Sequence, residues 1–201
     1  MTSRREYDKT QLLEVISPND GRVLAALAMH NQADAQAMLA RAQSLFADRD
    51  VWLAHYQRAS ILKKLAALVA AEAEDFAMLI AQEGGKPISD ARIEVARAIE
   101  GIELAVENLP HIFQGQEVPM GQTPASRGRR AYTHYEPIGV VLAVSAFNHP
   151  LNLIVHQVIP AIAVGCPVIV KPAATTPLNC QRLVALLREA GLPDGWCQLC
   201  L

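Results

Sequence analysis

No G-x-G-x-x-G segment joins a strand-like run to a helix-like one in this sequence, which excludes the ordinary dinucleotide fingerprint. Aromatic residues are scarce at 5%, so an interior has to be filled by Ala, Leu, Val and Ile. A basic excess is missing as well. The 18 Lys plus Arg stand against 20 Asp plus Glu, a formal charge of −2, and no nucleic-acid surface is expected. Met1 to Thr10 are charged and hold no apolar core of the kind a secretory signal needs, so a cytoplasmic protein is expected. No membrane span is expected either, because the most apolar helical stretch, after Pro150, is interrupted by Asn152, His156 and Gln157. Cysteine is absent before residue 166. Cys166, Cys180, Cys197 and Cys200 read as buried thiols in a reducing compartment rather than as a disulfide framework. Cys197-x-x-Cys200 lacks a second ligand pair, and on a strand its side chains diverge, so no metal site is expected.

What is present suffices for a core: 51% of the 201 residues are apolar. Leu12–Ile16 and 22–29 read as extended pieces around the turn Ser17-Pro18-Asn19-Asp20-Gly21. Asn31 is placed to cap a helix over 32–47, with Ala33, Ala37, Ala40 and Leu45 inward. A helix over 52–72 carries the stripe Leu62, Leu65, Leu68 and Val69. It continues or restarts over 74–82, with Phe76, Leu79 and Ile80 inward, and Gly84-Gly85 closes it. Pro87 opens a further helix to about Asn108, tracked by Ile88, Ala91, Val95, Ile99, Ile102 and Val106. The pattern breaks over 110–130, an ordered crossing or surface loop that carries the basic cluster Arg127, Arg129 and Arg130.

From Ala131 the period becomes two, through Tyr132, His134 and Glu136. Val140 to Ser145 then reads as a strand covered on both faces. A helix from Leu151 to about Val164, a strand over 167–170, a helix capped by Thr175 or Thr176 and a final strand from Trp196 complete a β-α-β-α-β series, most simply parallel. A last strand with no continuation leaves an apolar edge, so the chain is expected to be the leading piece of a longer protein.

Both central strands end in polar residues, Asn148 and His149 before Pro150, and Lys171 before Pro172. A parallel sheet puts both carboxyl ends on one edge, where α/β proteins hold ligands. Asn148 either caps the following helix or donates to an oxygen that gains charge. Lys171 either faces solvent or reaches a ribose or phosphate. Gly84-Gly85-Lys86 follows a helix without P-loop spacing, and a C-cap fits it better. His149 and His156 lie about two helical turns apart and read as satisfied histidines rather than a metal pair. The chain offers no convincing nucleophile or base.

At Glu136-Pro137-Ile138-Gly139-Val140-Val141 followed by Phe147-Asn148-His149-Pro150, the sequence resembles the NAD(P)-dependent aldehyde dehydrogenase superfamily. Glu83-Gly84-Gly85-Lys86-Pro87 is similar to that family's E-[TS]-G-K-P junction. The run from Pro160 to Pro172 is similar to its P-A-L-A-x-G-N-x-V-V-x-K-P stretch, and Gly191-Leu192-Pro193-Asp194-Gly195 to the turn before its next strand. The resemblance implies an α/β fold of the aldehyde dehydrogenase type, with an N-terminal helical layer followed by part of a Rossmann-like parallel sheet. It implies strands and helices of a cofactor-binding domain over 1–110, a crossing loop and oligomerisation strand over 111–137, and the first βαβαβ part of the NAD(P)-binding domain over 138–201. By that resemblance the catalytic domain is expected to be absent from residues 1–201.

By the same resemblance, Asn148 is the oxyanion stabiliser. Val144, Ser145, Ala146 and Phe147, with Asn148, line the cofactor cleft; Lys171 contacts the adenosine ribose; Ala173 and Ala174 follow it. The cofactor is NAD or NADP, the substrate a small aldehyde oxidised to an acid through a cysteine thiohemiacetal and thioester, and the whole protein a homodimer or homotetramer. The nucleophilic cysteine and general-base glutamate of the family lie farther along than residue 201, so the 201 residues alone are expected to be inactive. A truncated non-catalytic remnant or assembly module is the alternative. Phe147 stands for the family's usual Trp, His149 for Phe or Tyr, Cys166 for Asn, and Ala174 for the Glu common in NAD-preferring members, which leaves NADP tolerable.

Overall fold

Residues 11–201 are described by the structure, a computed structural model; the charged stretch 1–10 lies outside them. Leu12–Ile16 (β1) and Val23–Ala28 (β2) pair antiparallel about the expected turn. Gln32–Ala47 (α1) opens with the Asn31 cap. Asn31 Oδ1 accepts from the Ala33 and Asp34 amides at 2.8 and 3.0 Å, and the Asp34 carboxylate accepts from the Asn31 amide at 2.9 Å. The inner face of α1 differs from the expected one. Ala33, Ala37 and Ala40 are exposed, and Ala42 is the buried residue. Alanine recurs on every side of this helix, so its spacing alone does not distinguish one face from another.

His55–Ala71 (α2), Ala73–Gly84 (α3) and Ile88–Ile112 (α4) form the helical layer. The first begins three residues later than expected, after a turn at Arg49–Val51, where the Trp52 indole donates to the Phe46 carbonyl at 3.0 Å. Gly85 closes α3 in the left-handed region at φ 66°. A Cβ there would stand 2.8 Å from Pro18 Cγ, so the β1–β2 turn also depends on its lack of a side chain. The helix α4 runs past Asn108 and through Pro110. Proline so close to the end removes only one helical hydrogen bond, and buried Leu109 holds that last turn to the core.

The segment 110–130 contains Glu117–Val118 (β3), which pairs antiparallel with Ala131–Tyr132 (β4). The strand expected through Glu136 therefore stops at Tyr132, because its partner offers two residues. Val141–Val144 (β5), Val168–Lys171 (β6) and Cys197–Leu199 (β7) form a parallel sheet in the order β5-β6-β7, with Asn152–Val164 (α5) and Leu178–Glu189 (α6) between them in sequence. The strand β6 lies in the middle and is buried over its three apolar residues. On the edge strand β5 the expectation of two covered faces fails: Leu142 is 66% and Val144 56% exposed. Leu62, Leu65, Phe76, Ile80, Val95, Ile102, Ile154, Val158, Leu183 and Leu186 join one core between helices and sheet. Each large aliphatic or aromatic side chain so removed from water contributes about 1.5–3 kcal/mol.

Candidate functional site

Alternating hydrogen bonds put the ends of β5 and β6 side by side. The parallel register pairs Val144 with Lys171, and the Ser145 amide donates to the Lys171 carbonyl at 3.0 Å. The Cys200 amide likewise meets the Val170 carbonyl at 2.9 Å, so all three strands present their carboxyl ends to one edge. At the exit of β5, Ser145 is buried while Ala146, Phe147 and Asn148 are exposed. At the exit of β6, Lys171 is exposed, Ala173 half-buried and Ala174 exposed. Lys171 Nζ donates to the Pro172 carbonyl at 3.0 Å, a contact on its own turn that does not confine the ammonium. From α5, Gln157 Nε2 donates to the Val144 carbonyl at 3.0 Å, which fastens the β5 exit to the helix. The eight residues singled out from the sequence thus follow two adjacent strand ends.

Both helices that follow these strands begin on a buried glutamate from the helical layer. The Leu151 and Asn152 amides donate to Glu94 Oε1 at 2.9 and 3.1 Å. The Leu178 amide donates to Glu83 Oε2 at 2.7 Å, and the Asn179 amide and side chain to Glu83 Oε1 at 3.1 and 2.5 Å. Neither Asn148 nor Thr175 or Thr176 supplies the cap. The carboxylates complement the positive ends of the helix dipoles, and Glu83 and Glu94 are each 2% exposed. Burial lifts the Glu83 carboxyl above the usual range, against the lowering effect of its hydrogen bonds.

Sequence reasoning missed both caps, although a signal existed. Glu94 sits inside the apolar track beside Val95, and Glu83 three residues after buried Ile80. A carboxylate in the buried phase of a helix requires a partner. The consequence for ligands is direct. The first amides of α5 and α6 are already taken by carboxylates, so neither helix start cradles a phosphate. At the strand ends themselves Lys171 is an exposed donor, and Val144 and Phe147 are apolar and exposed.

The same Glu94 reaches the residue after Asn148. Lys86 Nζ donates to Glu94 Oε2 at 2.5 Å and lies 3.0 Å from His149 Nδ1, while Nδ1 is 3.4 Å from Oε2. Gly84-Gly85 forms the expected helix closure, and Lys86 beyond it is an ion-pair partner. The basic residues Arg127, Arg129 and Arg130 are exposed on the β3–β4 connection, on a different sheet.

Cys180, Cys197 and Cys200 make poor nucleophiles. Burial pushes the Cys197 thiol up to about 12 and raises those of Cys180 and Cys200, against what an attacking thiolate needs. Among the described residues no group of three or more His, Cys, Asp or Glu could hold a metal ion, and no helix is long and apolar enough to cross a membrane.

A model of the aldehyde dehydrogenase family matches residues 5–201. The 3-sulfolactaldehyde dehydrogenase of Priestia aryabhattai is 34% identical over 195 residues, 96% of this chain and 40% of that protein. The sulfoacetaldehyde dehydrogenase of Neptuniibacter caesariensis is 36% identical over 148 residues, 74% of this chain and 32% of that protein. Among solved structures, aldehyde dehydrogenase 21 from Physcomitrella patens, in complex with the reaction product succinate, superposes with a TM-score of 0.89 at 33% identity, covering 94% of this chain and 39% of that one. The chain therefore spans two fifths or less of the length of these relatives.

Proposed function

Because the chain belongs to the aldehyde dehydrogenase family, we propose that it forms the N-terminal part of an enzyme oxidising a small anionic aldehyde to a carboxylic acid with NAD or NADP. The observation that carries the reading is the parallel register of β5 and β6, which brings the Asn148 turn and Lys171 to one edge. In this reading residues 1–110 support the cofactor-binding sheet, 111–137 carry an assembly arm that makes a homodimer or homotetramer, and 138–201 begin the NAD(P)-binding domain. The bound dinucleotide supplies the hydride acceptor. Lys171 donates to its adenosine ribose, and the backbone over 144–147 with Ala173 and Ala174 lines its cleft.

Asn148 works on the substrate. When a cysteine elsewhere in the full-length protein adds to the aldehyde carbon, the carbonyl oxygen gains charge, and the Asn148 amide donates a hydrogen bond to it. A donor aimed at charge that develops in the transition state lowers the barrier, and removing one such donor costs about 10²–10³ in kcat. An anionic substrate is favoured by the relatives, whose named compounds carry a sulfonate or a carboxylate beside the reacting carbon chain.

Asn148→Ala in the full-length protein is the test. The expected result is a fall of about 10²–10³ in both kcat and kcat/KM, with KM for 3-sulfolactaldehyde or succinate semialdehyde little changed. An Asn148→Ala enzyme within threefold of the wild-type kcat would reject the assignment. A protein without turnover on either aldehyde or on uncharged propanal would favour the assembly module instead.

A further inference from the structure

The two oxygens of Glu94 have separate tasks. Oε1 accepts the Leu151 and Asn152 amides and so caps the start of α5 by itself. Oε2 is directed to the turn: it accepts Lys86 Nζ at 2.5 Å and lies 3.4 Å from His149 Nδ1. The Glu94 side chain is 1% and that of Lys86 16% exposed, so the carboxylate has little water to turn to, and a buried anion of this kind depends on its counter-charge. The Nδ1 atom of His149 thus lies 3.0 Å from Lys86 Nζ and 3.4 Å from Glu94 Oε2, at the edge of the Lys86–Glu94 pair. Helix α4 and the α3–α4 junction thereby hold the one side chain that directly follows Asn148.

We propose that Lys86, Glu94 and His149 are a positioning cluster for the Asn148 amide. This rests on the assignment of Asn148 above and adds to it. The helix cap would survive loss of Lys86, because Oε1 alone makes it. The turn would keep the bond from the Leu153 amide to the His149 carbonyl at 3.1 Å, but the His149 side chain would lose the ammonium that its Nδ1 meets, and the residue beside Asn148 would be free to shift. An amide donor displaced by about 1 Å from a developing charge forfeits on the order of a hundredfold in rate.

The test is a double-mutant cycle in the full-length protein, by steady-state kinetics with succinate semialdehyde and NADP. Lys86→Met is expected to lower kcat about 10- to 100-fold while KM changes by less than about twofold. In an Asn148→Ala background the same change is expected to cost less than about twofold more, since a misplaced donor and an absent one are equivalent. A Lys86→Met penalty that persists in full beside Asn148→Ala would overturn the cluster's role. If Lys86→Met does not fold, His149→Leu is put through the same cycle, because it leaves the Lys86–Glu94 pair and the cap in place. Coupling to Asn148→Ala then supports the proposal, and full additivity overturns it. An Asn148→Ala enzyme with unchanged kcat would reject the underlying assignment and this inference with it; full additivity with an impaired Asn148→Ala enzyme rejects the inference alone.

Discussion

Removing the Glu83 carboxylate tests how the helical layer holds the sheet's helices in place. In Glu83→Ala the Leu178 amide, the Asn179 amide and the Asn179 side chain lose their acceptors together, and Asn179 is fully buried. A buried donor left unpaired costs about 1–3 kcal/mol. The end of the desolvation that raises the Glu83 pKa offsets part of this, and a net loss of about 3 kcal/mol at the start of α6 follows. Peptide-resolved hydrogen exchange over 176–183 at pH 7 should then speed up about a hundredfold. Glu72→Ala, which removes only the exposed Arg182 pair from the same helix, should change it by less than about fivefold. Exchange in Glu83→Ala within threefold of wild type would refute the cap.

The pH dependence of this cap has a fixed sign. A folded-state carboxyl pKa raised above 4.5 means the folded protein holds that proton more tightly than the unfolded chain. The titration's contribution to stability is fully present below pH 4.5 and is lost as pH rises through the raised value. In urea unfolding, the gap between wild type and Glu83→Ala should therefore widen as pH is lowered towards 4.5.

A Cβ at Gly115 would fall 1.9 Å from the Thr133 carbonyl oxygen; Gly115→Ala should part β3 from β4, cost about 2 kcal/mol, and release the Gln116 and Thr133 amides to exchange. Unchanged protection there would contradict the pairing. The full-length enzyme should accept NADP as well as NAD, and Ala174→Glu should shift the kcat/KM ratio towards NAD about tenfold or more, through a gained ribose hydrogen bond and repulsion of a 2′-phosphate. A wild-type enzyme strictly dependent on NAD would reject this. Residues 1–201 alone should give no aldehyde-dependent NAD(P)H; measurable turnover would show that the chain holds a nucleophile of its own.

Periodicity and caps made most of the elements legible. The α1 bounds, the Asn31 cap, the β1–β2 turn, the Gly85 closure and the apolar tracks of α2 and α4 all follow from contacts within a few residues, where residue type and spacing act directly. The shared edge of β5 and β6 was also readable, because two polar strand ends in a β-α-β unit must fall on one side of a parallel sheet. Local signals misled where a residue's environment came from afar. Edge exposure of Leu142 and Val144 depends on strand order, which the β5 sequence does not encode, and the inner face of alanine-rich α1 depends on what packs against it. Most telling are Glu83 and Glu94, which cap helices 95 and 57 residues farther along. Sequence by itself determined which segments fold and which strand ends are polar. Only the tertiary structure decided that two carboxylates occupy the helix starts and that one of them, with Lys86, holds the residue beside Asn148, because burial and long-range hydrogen bonds exist only once distant segments meet.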